Sequence, residues 1–209
     1  MVHYIQAELY RLRHRRFTLF LLLIGLMTGM TAGMVQGRAF FLLLVYLGLP
    51  LLVDCVYSDE MRLGTLKNTV SGGICRRNIY IGKFVAELLY MLLLMAGAFL
   101  PMLVLNPSEA ALTAADAFPL WLGGVAIAQL LYFLLSPTMA YTSYIVLFFL
   151  PPLIGQLLNI LPGWCLYHHI MGSNFVTTAS LAGPWVTGLA WIAAALALGL
   201  LLFRRKEIR

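Results

Sequence analysis

Six apolar runs of near membrane-spanning length dominate this chain, and they limit its folds more than any other feature. They are Phe17–Val35, Ala39–Val56, Phe84–Leu105, Phe118–Leu135, Tyr141–Leu161 and Trp185–Phe203. A helix needs about 20 mostly apolar residues to cross roughly 30 Å of hydrocarbon. The second run carries Asp54 near its end, where a carboxyl costs well below the roughly 2.5–3.5 kcal/mol expected at a membrane centre. Hydrophobic residues make up 62% of the 209 positions and charged residues only 11%. Soluble domains are about 45–50% apolar and about 25% charged, so in water this chain would lack the polar surface to cover its apolar content. A bilayer removes the conflict. The expected fold is an all-α integral membrane protein of six transmembrane helices, with residues 1–209 forming a single domain.

Lysine and arginine set the direction, because they are retained on the cytoplasmic side. Arg11, Arg13, Arg15 and Arg16 precede the first run. Arg62, Lys67, Arg76, Arg77 and Lys83 follow the second, and Arg204, Arg205, Lys206 and Arg209 close the chain. On the opposite side only Arg38 is basic. The alternation fits an even number of spans with both termini in the cytoplasm. The net charge of +6 is therefore assigned to anionic lipid headgroups, not to nucleic acid. A cleaved signal peptide fits poorly, because the first run is long and Thr31-Ala32-Gly33 is a weak cleavage site. Cys55, Cys75 and Cys165 cannot all pair, and two of them flank a segment placed in the cytoplasm, which argues against a disulfide framework.

Several local features qualify this layout. Val2, Ile5, Leu9 and Leu12 recur at helical spacing among polar and basic residues, which predicts an interfacial helix within residues 1–16. Pro151-Pro152 predicts a kink or break in the fifth span. Residues 162–184 are uncharged, semi-apolar and interrupted by Gly163, Gly172 and Gly183, which suits a re-entrant hairpin on the outer face.

The segment Ser58 to Phe84 carries the most information. Ser58 or Asp59 could cap a helix start, and Asp59 and Glu60 suit its positive end. Met61, Leu66 and Val70 make a rough apolar stripe, and Ser71-Gly72-Gly73 ends the helix. Arg76, Arg77 and Lys83 would hold the entrance of the third span at the headgroups. Glu60, Gly64-Thr65-Leu66-Lys67-Asn68, Ser71-Gly72, the following arginines and Gly82-Lys83 together resemble the first cytoplasmic loop of type 2 ABC exporter permeases, nearest to short bacterial bacitracin- and lantibiotic-resistance members. The likeness covers the whole chain in layout and about twenty-five residues in motif. Ile74-Cys75-Arg76-Arg77 departs from it, putting two arginines where the family shows one.

The resemblance implies that residues 58–83 form a coupling helix docking on a separate ABC ATPase subunit. Two such subunits would bind ATP and Mg²⁺, and this chain would bind no cofactor. Glu60, Gly64, Thr65, Lys67 and Asn68 would lie in or beside the contact, with Arg76, Arg77 and Lys83 positioning it. It also implies a second permease copy, or a related permease, completing a pathway in the bacterial cell membrane, with export of an amphipathic, lipid-like or peptide cargo.

Other chemistries fit less well. Gly82-Lys83-Phe84 lacks the hydroxyl residue of a phosphate-binding loop, and Arg77 stands where its first glycine belongs. The four histidines, His3, His14, His168 and His169, lie outside the apolar runs, which weakens an intramembrane hydrolase. Cys165, His168 and His169 are a poor ligand set, since adjacent histidines point differently. Asp54 and Glu87, near the inner ends of their spans, are the carboxylates open to an ion-coupled carrier. Pairing with Arg62 or Lys83 is the plainer expectation for them.

Overall fold

The computed structural model describes residues 2–14, 16–35, 38–63, 70, 75–157 and 182–205. Among these the regular structure is wholly helical: α1 (Val2–Arg13), α2 (Arg16–Val35), α3 (Arg38–Leu63), α4 (Arg76–Leu105), α5 (Pro107–Leu134), α6 (Pro137–Leu157) and α7 (Ala182–Arg205). Helices satisfy their own backbone groups, as apolar surroundings demand. Three are long and apolar enough to cross a membrane, over Arg77–Leu105, Thr113–Leu134 and Gly183–Leu202. Shorter apolar stretches occupy Thr18–Ala32 on α2, Val45–Tyr57 on α3 and Pro137–Leu150 on α6.

Helix α5 is the central post. Its apolar window is 72% buried, against 28% for that of α4 and 17% for that of α7. Trp121, Val125, Ala126 and Ala128 are all fully enclosed there. The most extensive helix interface joins α5 to α7, and the next joins α2 to α4. Both depend on glycine. A Cβ on Gly188 would run into the backbone carbonyl of Pro119, and one on Gly29 into that of Ala98. Small residues let apolar helices pack backbone to backbone, where dispersion contacts are densest. The outward faces of α2, α4, α6 and α7 carry exposed leucine, methionine, valine and phenylalanine.

Turn chemistry fixes the corner between α4 and α5. Asn106 leaves helical geometry (φ −151°, ψ 82°), and its N–H donates to the Met102 carbonyl at 2.7 Å. Its own carbonyl accepts from the Ala110 N–H at 3.0 Å, and Pro107 then opens α5 where a missing donor costs nothing. At the other end Thr18 Oγ1 donates to the Leu12 carbonyl at 2.6 Å, closing the corner between α1 and α2.

Two expectations are corrected. Ser58 and Asp59 do not start a helix; they continue α3, which runs on to Leu63. Polar residues end a hydropathy run but not a helix whose backbone bonds go on forming. Nor does α6 break at Pro151-Pro152, since it continues to Leu157. Proline's fixed φ is helical, so a helix can run on through it, losing a backbone donor and crowding the preceding turn without ending. Most of the expected re-entrant segment, with Cys165, His168 and His169, lies outside the described residues.

Candidate functional site

Of the positions singled out from the sequence, Gly64, Thr65, Lys67 and Asn68 lie outside the described residues, as do the side chains of Glu60 and Arg76. Glu60 belongs by backbone to the last turns of α3, and Arg76 opens α4. Cys75 precedes α4 in an extended conformation (φ −58°, ψ 133°), and its carbonyl accepts from the N–H groups of Asn78 and Ile79 at 2.8 and 3.2 Å. Arg77 is exposed, and Val70 packs half-buried against the core. Cys55 is buried and Cys75 exposed, and neither is held in a disulfide among the described residues.

Lys83 is not on the surface of the bundle. It is 0% exposed, enclosed by three elements at the foot of the bundle. Its Nζ lies 3.4 Å from Glu8 Oε1 on α1 and donates to the Val56 carbonyl on α3 at 3.2 Å. The ammonium also stands 4.9 Å from the centroid of the Tyr57 ring, where the π face favours a cation. Arg11 completes the knot, its Nη2 donating to Glu8 Oε2 at 2.6 Å and to the same Val56 carbonyl at 2.8 Å. Two cations therefore share one carboxylate and one carbonyl.

Glu87 follows one turn later on α4 and is also 0% exposed. Neither of its carboxylate oxygens has a hydrogen-bond partner among the described residues. The ion pair expected between Lys83 and Glu87 is thus replaced by one between Lys83 and Glu8. Behind this knot, buried Gln129 on α5 donates through Nε2 to Tyr57 Oη at 3.1 Å and to the Tyr80 carbonyl at 3.0 Å. Both stems of the 58–83 segment are therefore tied to the core, α3 at Val56 and Tyr57, α4 at Tyr80 and Lys83.

Glu8 is the residue that sequence reading missed. It sits three residues after Ile5 and four before Leu12, so it interrupts the apolar stripe of α1 with an acid. An acid on the buried face of a basic helix is the available signal; its partner lies 75 residues away. The arrangement fixes the relative placement of α1, α3 and α4 and holds paired charge out of solvent. Gln129→Leu is expected to cost about 1–3 kcal/mol, because Tyr57 Oη loses a buried partner. A thermal midpoint in detergent unmoved by that change would contradict the pairing.

No protein-family model matches the chain, and no curated protein matches it at a significant level.

Proposed function

We propose that the chain is the membrane-spanning permease subunit of an ATP-driven ABC exporter. In this reading it crosses a bacterial cell membrane six times with both termini in the cytoplasm. The three shorter apolar stretches on α2, α3 and α6 then supply the remaining crossings. Residues 58–83 face two ATPase subunits, which carry ATP and Mg²⁺, and a second permease copy or a relative completes the pathway. The cargo is amphipathic, lipid-like or peptide, since the spans hold few charges. This subunit makes or breaks no covalent bond.

One observation carries the reading furthest: the 58–83 segment is anchored at both stems. Lys83 and Arg11 meet on the Val56 carbonyl while Gln129 joins Tyr57 to Tyr80. A docked ATPase pushing on such a segment moves α1, α3 and α4 together instead of bending a slack loop. The Gly64-Thr65-Leu66-Lys67-Asn68 run supplies the family likeness.

The test is purification of the intact complex in mild detergent. Glu60→Lys combined with Gly64→Trp is expected to reduce ATPase co-purification and transport by at least about tenfold, the equivalent of 1.4 kcal/mol. Undiminished association and transport would remove the coupling assignment. Burial of Glu87 favours a second reading, an ion-coupled carrier working without an ATPase. Transport by the chain alone, abolished in Glu87→Gln, would select it over the first.

A further inference from the structure

A cavity of about 150 Å³ lies between α2, α3 and α4, backed by Trp121 of α5. Leu21 to Thr28, Val45 to Leu52 and Met91 to Ala98 line it. Each stretch is the middle of its helix, far from the ends that would meet headgroups. The walls are almost entirely apolar. The hydroxyl proton of Thr28 is committed to the Ile24 carbonyl at 2.5 Å. A buried water needs two to four polar partners, so this lining suits hydrocarbon.

Gly48 shapes the space. A Cβ added there would meet nothing within 4 Å, whereas a Cβ on Gly25 would meet Leu94 and Ala98 at ordinary contact distance. Glycine at position 48 serves no close helix crossing; it leaves room. Met91 and Met95 form one wall, buried and one turn apart, with thioethers that adapt to an irregular occupant. Ile24 stands at the rim and is 44% exposed, so the cavity communicates with the outer face of the bundle.

We infer that this cavity is a binding site for one linear alkyl chain, which enters past Ile24 from the surrounding bilayer. An apolar cavity of about 150 Å³ takes benzene, so roughly six chain carbons fit inside. The rest of the chain lies along the exposed face of α2, where Leu23 and Met27 present apolar surface. Among the described residues no polar group at this depth reads a headgroup, so the site selects for a flexible apolar tail. The inference rests on the membrane reading alone and is independent of any ATPase.

The experiment reconstitutes the full chain in phosphatidylcholine vesicles containing a phosphatidylcholine with a diazirine on one acyl chain, then maps adducts by peptide mass spectrometry. Adducts on Met91 and Met95 are expected at least about fivefold denser than on exposed Leu198 and Leu201 of α7. Gly48→Leu fills the space and is expected to cut cavity adducts about tenfold while leaving those on α7 unchanged. Gly48→Ala, a milder filler, gives a smaller drop in the same direction. Cavity labelling no denser than that of α7, or unaltered in both variants, overturns the site. Adducts nowhere on the chain overturn the membrane reading with it. A second arm adds a single-chain dodecyl amphiphile as competitor. Loss of cavity adducts alone identifies a site open to free amphiphiles, and retention identifies one held by bilayer lipid; a parallel loss on α7 overturns the site as a distinct one.

Discussion

Lys83→Met is expected to destabilise the folded chain by about 3–5 kcal/mol, the range for removing one partner of a buried ion pair. Methionine is unbranched and only one atom shorter than lysine, so the stem's packing is largely kept. What changes is Glu8, whose Oε1 loses its ammonium while the residue stays 4% exposed. Arg11 still holds Oε2, which places the loss toward the lower half of the range. The double variant Glu8→Gln with Lys83→Met should recover part of it, because the carboxylate left without its ammonium is gone while Arg11, which loses that carboxylate, keeps the Val56 carbonyl. The two single changes should then be non-additive by about 1 kcal/mol or more. Unfolding titrations in mixed detergent measure all three. A Lys83→Met protein as stable as the parent would mean that the ammonium is not desolvated in this knot.

Gly188→Leu is expected to prevent folding altogether. A Cβ at this position would occupy the space of the Pro119 carbonyl, and Gly123 crosses the same point from α5, its own added Cβ lying 3.3 Å from the Gly188 carbonyl. The obstacle is backbone and not a flexible side-chain end, so relief requires α7 to move off α5 along their most extensive interface. Overpacking a core, backbone shifts included, costs about 1–3 kcal/mol and more as the inserted group grows. Gly188→Ala should fall within that range, and leucine should exceed it. Gly48→Ala is the control: its added methyl meets nothing within 4 Å, and alanine's helix propensity favours it by up to about 1 kcal/mol. Monodisperse yield on size exclusion separates the three. A Gly188→Leu protein eluting as the parent does would show that the two backbones do not approach as described.

The positions of the apolar helices were legible because hydropathy is a property of runs, and α2, α4 and α7 contain the expected stretches almost entirely. Their ends were not. Helix α3 carries Ser58, Asp59 and Glu60 in its last turns, and α4 begins at Arg76, ahead of the apolar run at Phe84. Backbone hydrogen bonds continue through polar residues that hydropathy treats as a stop. The start of α5 was written in another signal, Asn106-Pro107 followed by Glu109, which is helix-start punctuation and not apolar character. The knot around Lys83 was half legible. Lys83 was singled out, but a basic residue flanking an apolar run reads as surface, and burial depends on an acid brought from another helix. Glu8, Gln129 and the Val56 carbonyl converge through tertiary packing that no local pattern encodes.

Helix α3 is a single rod of 26 residues, about 39 Å long at 1.5 Å per residue. That exceeds the roughly 30 Å of bilayer hydrocarbon. In the proposed six-span permease, α3 would leave the membrane as continuous helix, and a displacement applied at Glu60 would travel along its axis instead of dissipating in a flexible neck. The weak point is Pro50, inside the rod, where a backbone donor is missing. Pro50 also lies two residues from Gly48, on the stretch that lines the alkyl cavity. Under the proposed coupling, a stroke that flexed α3 at Pro50 would act on the stretch forming the cavity wall and so change the cavity's width.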